Sequence, residues 1–403
     1  MNLLKANDIE HIVAFGSIPY EILTHQQKVS LLSNFDFDIN RIFNADIKQI
    51  RSILKKKKSF ELNFKEYYIK AKEIIKKKNF LTIDSKYFPF DCWKSEDKSN
   101  FKQCQLLPFV LFYEGNPQIL NQPKISIVGT RNPDEISIDF TNHVVSNLRK
   151  VVVSGFANGI DHYAHLFAIS NDIPTIAVFG CGVNIIYPKS NLELYKRLNG
   201  KEYLILSEFP NDTIPKKYYF PIRNRIIAAL GEKLLCVQAG KKSGALITTK
   251  YAKELNKKIY VFYPTELSGF EGNKNLYLSN EASLLFGVHD GKYYVKNPSS
   301  LLENIEKKSL DLEETIMGKG SIKNESDEVE FQYKDDSNDF ALFKEIFDYP
   351  NRTLEYYTQK IGRDVRNIIL SYETLLSKNY IKTDKSNRIY PNYSQNVINL
   401  IAK

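Results

Sequence analysis

The sequence predicts an α/β protein with a mostly parallel sheet, preceded by a small helical domain and followed by a small domain of helices and a hairpin. Three observations support this fold class. Helical periodicity dominates residues 1–85, short β-rich runs alternate with helical patterns from Lys124 onward, and three short helical patterns with a possible hairpin close the chain. A chain of 403 residues has room for two or three such domains.

Residues 1–85 are predicted to form the N-terminal helical domain. Apolar residues recur at helical spacing in Ile9–Val13 and Val29–Leu32, and a lysine-rich helical stretch runs from Ile47 to Lys78. Lysines spread along a helix in this way are more typical of a solvated face than of a binding patch.

Residues 86–300 contain the alternation that predicts the parallel sheet. A short β-like run at Phe109–Tyr113 comes first. Strand, helix and strand at this spacing indicate right-handed βαβ units, and several strands are apolar throughout, as in a sheet covered on both faces. The predicted strands are Ile125–Val128, Val151–Ser154, Thr175–Gly180, Tyr203–Ser207, Leu234–Gln238 and Lys258–Tyr263. The predicted helices are Asp134–Lys150, Ile160–Asn171, Leu192–Leu198, Ile222–Leu230 and Ala245–Leu255.

Residues 301–338 are charged and poor in apolar side chains, which predicts a flexible linker. Residues 339–403 then have the outline of a winged helix, which consists of three helices and a hairpin. Its predicted elements are helices near Phe340–Phe347, Leu354–Ile361 and Val365–Lys378 and a hairpin around Asp384–Asn387.

The composition excludes several classes of protein. No window approaches the 18 uninterrupted apolar residues of a membrane-spanning helix, and polar residues enter too early for a secretory signal. No two cysteines have CxxC spacing, which predicts neither a zinc site nor a disulfide framework and fits the cytoplasm. The net charge of +9 permits a polyanionic partner without requiring one.

Glycines and cations follow the predicted strands. Ligands of an open parallel sheet bind at the carboxyl ends of its strands, where glycine admits close backbone N–H groups and helix N-termini favour anions. A tight turn explains any one of these glycines, whereas anion binding explains the set. The candidate phosphate-binding residues are Gly129, Thr130, Arg131, Ser154, Gly155, Asn158, Gly159, Gly182, Lys189, Arg223, Asn224, Arg225, Lys241, Lys242, Ser243 and Gly244.

The anion is not predicted to be a common nucleotide cofactor, and no cofactor is expected. A GxGxxG fingerprint is missing, because Ile185 occupies the third glycine position after Gly180 and Gly182, and there is no Walker A loop. His162 and His165 are spaced to share a helix face, but without a further ligand cluster a structural role is favoured over a metal site.

Taken together, the motifs resemble the DprA/Smf family of DNA-processing proteins, in order and spacing, from about Phe109 to Phe286. The resemblance implies an extended Rossmann core that binds single-stranded DNA, forms homodimers and helps to load RecA recombinase in natural transformation. It also implies an N-terminal domain resembling the sterile-alpha-motif fold and a C-terminal winged helix. The motifs are I-V-G-T-R (Ile127–Arg131), S-G-F-A-N-G-I-D-H-Y-A-H (Ser154–His165), F-G-C-G-V-N-I-I-Y-P-K-S-N (Phe179–Asn191), S-E-F-P (Ser207–Pro210), F-P-I-R-N-R-I-I-A-A-L (Phe220–Leu230) and S-G-A-L-I-T-T (Ser243–Thr249).

The chain departs from the family pattern in several places. Asn158 stands where the family has Arg or Lys, Gln238 stands where an acid is common, and Tyr263–Thr265 replaces a Pro-Gly pair. The first change removes one cation from the phosphate surface. Residues 1–85 also lack the glycines of helix–hairpin–helix turns, which argues against a DNA role for that domain.

Individual roles follow from side-chain chemistry. Arg131 is expected to contact the DNA backbone through its forked guanidinium, with a salt bridge to Asp161 as the alternative. Arg223 and Arg225 are two residues apart and face different sides of a helix, so one is expected to contact DNA while the other braces a loop. Ser243 is expected to cap the helix that follows it.

The lysines and aromatic residues near these loops have two interpretations each. Lys189, Lys241 and Lys242 are phosphate ligands or solvated side chains. The aromatic residues are base-stacking groups or, more often, part of the core; they are Tyr187, Phe209, Tyr218, Tyr219 and Phe220.

The residues of the loops are compatible with two classes of function. The first is a non-enzymatic protein that protects single-stranded DNA and loads RecA. The alternative is a nucleotide-processing enzyme resembling the lysine-decarboxylase-like phosphoribohydrolases, but Ala239–Thr249 lacks their loop glutamate and no other catalytic constellation replaces it, so no catalytic residue is assigned. A weaker third possibility is a regulator that reads duplex DNA through Arg363 and Arg366 of the last domain.

Overall fold

The computed structural model describes residues 4–5, 8–77, 79–94, 104–263, 269–289, 292–295, 329–331, 341–343, 345–346, 352–362, 364–377, 381–383 and 387–391. The chain divides into two compact units. The first comprises Met1–Asn132, Lys150–Leu235 and Lys242–Ile259, and the second comprises Pro133–Arg149, Cys236–Lys241 and Tyr260–Lys403. The domain boundaries predicted at residues 85, 300 and 338 stay predictions.

The helices are α1 (Ile9–Ser17), α2 (His25–Asn34), α3 (Ile39–Phe43), α4 (Ile47–Leu54), α5 (Phe64–Lys76), α6 (Glu135–Ser146), α7 (Ile160–Ser170), α8 (Leu192–Leu198), α9 (Tyr219–Leu230), α10 (Ala245–Glu254), α11 (Glu271–Leu278), α12 (Leu354–Ile361) and α13 (Val365–Ser377). The strands are β1 (Phe80–Thr82), β2 (Val110–Gly115), β3 (Lys124–Val128), β4 (Val151–Ser154), β5 (Thr175–Val178), β6 (Tyr203–Ser207), β7 (Lys233–Cys236), β8 (Lys258–Tyr263), β9 (Ser283–His289), β10 (Lys292–Val295), β11 (Val329–Phe331), β12 (Ile381–Thr383) and β13 (Ile389–Pro391).

Helices α1 to α5 confirm the helical prediction for the N-terminal segment. Local capping sets where these helices begin. The Asp8 carboxylate accepts the backbone N–H of His11 at 2.9 Å before α1, and Thr24 and Gln27 form a reciprocal capping box at the start of α2. Helix α1 packs against α5, and its buried face includes Val13 and Phe15. The likeness to a sterile-alpha-motif fold stays a prediction.

Strands β1 to β7 of the first unit lie in the order β1-β2-β6-β5-β4-β3-β7. The neighbouring pairs β3–β4, β4–β5 and β5–β6 are parallel, whereas β2 is antiparallel to both β6 and β1. Every residue of β4 and β5 is buried, as expected of strands covered on both faces. The predicted α/β class with a mostly parallel sheet is therefore confirmed.

The second unit has its own packing. Strand β8 is parallel to β9, and β9, β10 and β11 pair antiparallel in that order. Phe140 of α6 stacks on Phe262 of β8 with ring centroids 3.9 Å apart. The Asn273 side-chain amide donates to the carbonyls of Cys236, Val237 and Phe262 at 2.8–3.0 Å. One amide thus ties α11 to two backbone segments, Cys236–Val237 and β8, in the interior of this unit.

Strand β11 lies within residues 301–338, which the sequence predicts to be a linker. It pairs with β10 through the partners Tyr293 and Phe331, so at least this part of the stretch has regular structure. Residues 301–328 and 332–338 lie outside the described residues.

The C-terminal segment contains α12, α13 and the antiparallel pair β12–β13. These elements correspond to the two later predicted helices and the predicted hairpin. Of the first predicted helix, residues 341–343 and 345–346 are described and helical. The winged-helix arrangement stays a prediction. In the described part of the chain, no helix has both the length and the apolar composition needed to cross a bilayer.

Candidate nucleic-acid interface

The loops that follow β3, β4 and β5 lie at one edge of the sheet, because parallel neighbours have their carboxyl ends on the same side. These loops also contact each other. The backbone N–H of Ile160 donates to the carbonyl of Thr130 at 3.1 Å, and the Ser190 hydroxyl bonds Asn158 Oδ1 at 2.7 Å. Gly159 has a φ of +78°, and a Cβ there would lie 2.3 Å from the Thr130 carbonyl oxygen. Only glycine suits this close approach of two loops.

The first loop presents Arg131 to solvent. Its side chain is exposed and has no hydrogen bond or ion pair with any residue that the structure describes. The alternative, a salt bridge to Asp161, is not formed. Gly129 packs on α7, because a Cβ there would lie 2.5 Å from Ile160 Cγ1. The loop is thus held by backbone packing, and the guanidinium is left available.

The second loop is organised by the buried carboxylate of Asp161, at the start of α7. Backbone N–H groups of Gly155 and Ala157 donate to it. Burial raises the pKa of Asp161, while the nearby Arg223 guanidinium opposes that rise. The Ser154 hydroxyl is also internal and donates to the carbonyl of Ile127 at 2.7 Å. It is already engaged inside the sheet and is not free for a phosphate.

Arg223 joins the ends of two strands from inside the molecule. Only 4% of it is exposed. Its Nη1 donates to the carbonyl of Gly155 at 2.5 Å and to that of Val178, while Nε donates to Asn224 Oδ1 at 3.2 Å. Burial lowers the pKa of Arg223 to about 10, and Asp161 works against this decrease. The side chain therefore keeps its charge at neutral pH and fixes the loops after β4 and β5.

Arg225 is also buried, with 3% exposed. Its Nη2 donates to Glu208 Oε2 at 2.5 Å, and His25 Nδ1 lies 3.5 Å from Glu208 Oε1. Burial alone would raise the pKa of Glu208, but Arg225 and His25 hold it well below its usual range. The expectation that either Arg223 or Arg225 contacts DNA is therefore corrected: both brace the interior, because α9 is covered on most of its faces.

The third loop places Gly182 and Lys189 differently. Gly182 is buried against a turn: its N–H donates to the carbonyl of Thr213 at 2.8 Å, and a Cβ would lie 2.7 Å from the backbone nitrogen of Asp212. This glycine serves close packing rather than exposing its N–H. Lys189, in contrast, is exposed at the start of a short turn before α8.

The loop before α10 lies beside α9. The half-buried Asn224 side chain donates to the carbonyl of Gly244 at 3.4 Å. The capping position of α10 is occupied by Gly244 and not by Ser243, whose hydroxyl oxygen accepts the backbone N–H of Ala245 at 3.3 Å. The expectation of a serine cap is corrected by one position.

Four candidate cations are exposed, and the acid of the second loop is buried. The exposed residues are Arg131, Lys189, Lys241 and Lys242, of which Lys241 belongs to the second unit and directly precedes Lys242. Only 7% of Asp161 is exposed. The charge that these loops present to solvent is accordingly positive.

The two histidines of α7 have structural partners. His162 bonds Asn191 Oδ1 at 2.9 Å, and His165 Nδ1 bonds Thr175 Oγ1 at 2.7 Å. Because that hydroxyl donates to the carbonyl of Val152, His165 must donate from Nδ1. In the part of the chain that the structure describes, no three His, Cys, Asp or Glu side chains are grouped so as to hold a metal ion.

Comparison with known proteins identifies the family. The family model described as DNA recombination-mediator protein A matches residues 79–295, more than half of the chain. The chain belongs to this family. It is 36% identical to the DNA processing protein DprA of Bacillus subtilis over 216 residues, which are 53% of this chain and 69% of that protein.

Solved structures of two family members are similar to this chain. The X-ray structure of DNA processing protein A from Streptococcus pneumoniae matches with a TM-score of 0.54 and 29% identity, covering 70% of this chain and 96% of that one. A Helicobacter pylori family member, whose structure is described by its single-stranded DNA binding mode, matches with a TM-score of 0.43 and 29% identity over 52% of this chain and 91% of that one.

Sequence reasoning missed the main structural role of Asp161. It considered this acid as a partner for Arg131, whereas the structure places it near the Arg223 guanidinium, against Gly155 of the second loop. An acid in the first turn of a helix, following a glycine-rich loop, is the sequence signal that could have suggested a loop-organising carboxylate.

Proposed function

We propose that this chain binds single-stranded DNA through the phosphate edge, by which we mean Gly129–Arg131, Gly155–Gly159, Lys189 and Lys242–Gly244, with Lys241 beside it. Phosphate contacts supply most of the affinity of proteins that bind nucleic acid without reading its sequence. Exposed cations on three separate loops suit a backbone that passes along the edge. The burial of Asp161 keeps the carboxylate of the second loop away from the surface.

The observation that carries the proposal is the state of Arg131. This arginine is exposed and unpaired among the described residues, on a loop that packing holds in place. A planar guanidinium presents a fork of donors that matches two phosphate oxygens. The lysines add charge but have no fixed donor geometry, so Arg131 is the residue expected to set the position of the strand.

A single strand is proposed rather than a duplex because of the family and the surroundings of the edge. The Helicobacter pylori member is described as binding single-stranded DNA. We extend this ligand to the present chain because both belong to the same family. Aromatic side chains also lie near the edge, and unpaired bases can stack on such groups.

The remaining parts of the proposal follow the family resemblance. They are binding without catalytic turnover, transfer of the bound strand to a RecA-type recombinase, assembly as a homodimer and a cytoplasmic location. The missing loop glutamate in Ala239–Thr249 supports binding over nucleotide hydrolysis. Duplex reading by the last domain has less support: Arg363 lies outside the described residues, and Arg366 is a single exposed cation at the start of α13.

The test is Arg131→Ala, with affinity for single-stranded and duplex oligonucleotides measured over a series of salt concentrations. Loss of a hydrogen bond to a charged group costs about 1.5–3 kcal/mol, so single-strand binding should weaken at least about tenfold. The dependence of log affinity on log salt should flatten by about one phosphate, or roughly 0.7 in slope. Arg131→Lys should restore part of the affinity, because the charge returns without the fork.

Arg197→Ala is the matched control. Arg197 is an exposed arginine in the last turn of α8, on the chain segment that leads into the amino end of β6 and away from the phosphate edge. Its removal should leave affinity and salt slope close to those of the wild type. Folded Arg131→Ala protein that binds single strands like the wild type at every salt concentration would refute the site.

A further inference from the structure

Tyr187 presents an exposed aromatic ring beside the phosphate edge. It lies in the loop after β5, and 45% of it is exposed. One face of the ring rests on Phe220, with centroids 5.2 Å apart and planes at 35°. Phe220 in turn lies over the Arg223 guanidinium, whose central carbon is 5.9 Å from the ring centroid. Phe220 thus contacts both side chains, of which Tyr187 is the exposed one.

The Phe220 ring beneath Tyr187 is fixed. A Cβ at Gly180 would lie 2.9 Å from Phe220 Cδ1, so the ring fits against the backbone only because this position is glycine. Arg223 is buried and bonded to the carbonyls of Gly155 and Val178 at the ends of β4 and β5. Tyr187 therefore packs on a ring whose neighbour, Arg223, is bonded to the ends of two sheet strands.

The segment that carries Tyr187 is joined to the loop after β4. The Asn191 side chain donates to the carbonyls of Phe156 and Ala157 at 2.9 and 3.3 Å. The Ser190 hydroxyl bonds Asn158, and Lys189, two residues from Tyr187, is exposed. The ring and the exposed Lys189 are thus held on the same stretch of backbone.

The other aromatic side chains of this region are already engaged. Phe209 and Tyr219 are buried and stack on each other with centroids 4.1 Å apart. Tyr218 is 46% exposed, but its hydroxyl donates to Glu21 at 2.5 Å. Of the five aromatic residues that the sequence analysis singled out, Tyr187 is the one that is exposed and makes no side-chain hydrogen bond with the described residues.

We propose that Tyr187 is a base-stacking platform, on whose outer face one unpaired base rests while the neighbouring phosphates bind Lys189 and Arg131. This inference rests on the proposed function and adds a contact to the bases. Stacking on a tyrosine tolerates any base, since each has a π face, so it adds affinity without sequence specificity. Bases of a duplex are already stacked on one another, so the platform also favours single strands.

The test compares a thymidine oligonucleotide with an abasic strand of equal length and charge, because only the first offers a base. Tyr187→Ala should weaken binding of the thymidine strand about tenfold, equivalent to about 1.4 kcal/mol, and leave the abasic strand unchanged. Its salt slope should match that of the wild type, since no phosphate contact is lost. Tyr187→Trp should retain tight binding, whereas Tyr187→Leu, which keeps apolar bulk without a π face, should behave like alanine. Tyr218→Ala, the other exposed tyrosine, should discriminate between the strands as the wild type does.

The outcomes separate this inference from the proposed function. Equal loss on both strands, or no loss on either, would overturn the stacking role, and in either case retained dependence on Arg131 would leave the DNA-binding function intact. Failure of the wild-type protein to bind either strand would overturn both. Thermal melts of Tyr187→Leu and Tyr187→Ala show whether each variant is folded, and the leucine variant tests the idea should the alanine variant unfold.

Discussion

Replacement of Gly155 by alanine tests whether the second loop packs closely on the buried side chains of Asp161 and Arg223. A Cβ at this position would lie 2.6 Å from Asp161 Oδ2 and 2.7 Å from both terminal nitrogens of Arg223. Contacts this short require that at least one of the charged groups move. Neither group is free to do so, because Arg223 is bonded to two carbonyls and Asp161 accepts two backbone N–H groups.

The expected loss of stability follows from what must give way. Displacing one hydrogen bond to a charged group costs about 1.5–3 kcal/mol, and Arg223 makes two such bonds, to the carbonyls of Gly155 and Val178. Gly155→Ala should therefore lower the free energy of unfolding by about 2–5 kcal/mol. Gly244→Ala is the matched control, since a Cβ there meets nothing within 4 Å and the backbone is already helical at φ −61°. That change should be neutral or stabilise by up to about 1 kcal/mol.

Urea unfolding of DNA-free protein measures both values. The chain has a single tryptophan, Trp93, which is fully buried in the first unit, so its fluorescence reports unfolding of the unit that contains Gly155. Equal midpoints for Gly155→Ala and Gly244→Ala would refute the claim that the loop is closely packed on Asp161 and Arg223.

Two further predictions concern pH and catalysis. Burial and the charges of Arg225 and Lys28 lower the pKa of His25 to about 4, although Glu208 acts to raise it. Burial also lowers the pKa of His165 to about 3, together with His162 and Arg223. The unfolded chain takes up these protons near pH 6.5 while the folded chain resists them, so the free energy of unfolding falls as the pH falls. About 2 kcal/mol should be lost per histidine between pH 7 and 5. The urea midpoint of His165→Gln should therefore show roughly half the pH dependence of the wild type. Incubation with nucleoside monophosphates, nucleoside triphosphates or NAD should give no turnover above background, and repeated turnover that disappears on mutation of a loop residue would contradict the binding role.

The strands of the sheet could be predicted closely because they are buried on both faces. Strands β4 and β6 begin and end at the predicted residues, since uninterrupted apolar runs bounded by polar or glycine positions leave little ambiguity. Strand β5 ends at Val178 rather than at the predicted Gly180. The apolar pattern continues into Phe179, which is buried just beyond the end of the strand and still donates its N–H to the carbonyl of Leu206, so hydrophobicity alone extends the strand too far.

The arginines of α9 could not be assigned in the same way. Spacing of two residues correctly places Arg223 and Arg225 on different faces of the helix, and a polar residue is ordinarily expected on a solvated face. Here both faces are covered, one by the ends of β4 and β5 and the other by Glu208. Whether a helix has one buried face or several depends on tertiary packing, which the local pattern does not contain.

The positive residues at and beneath the phosphate edge consequently divide into two groups with different physical roles. Arg223 is desolvated and has its donors occupied by backbone carbonyls, so its charge shapes the loops. Arg131 and Lys189 are exposed, and their charge remains available to a polyanion. Salt screens exposed charges strongly and buried pairs weakly. Ionic strength should therefore alter the affinity of the edge for a strand while leaving the arrangement of the loops that receive it unchanged.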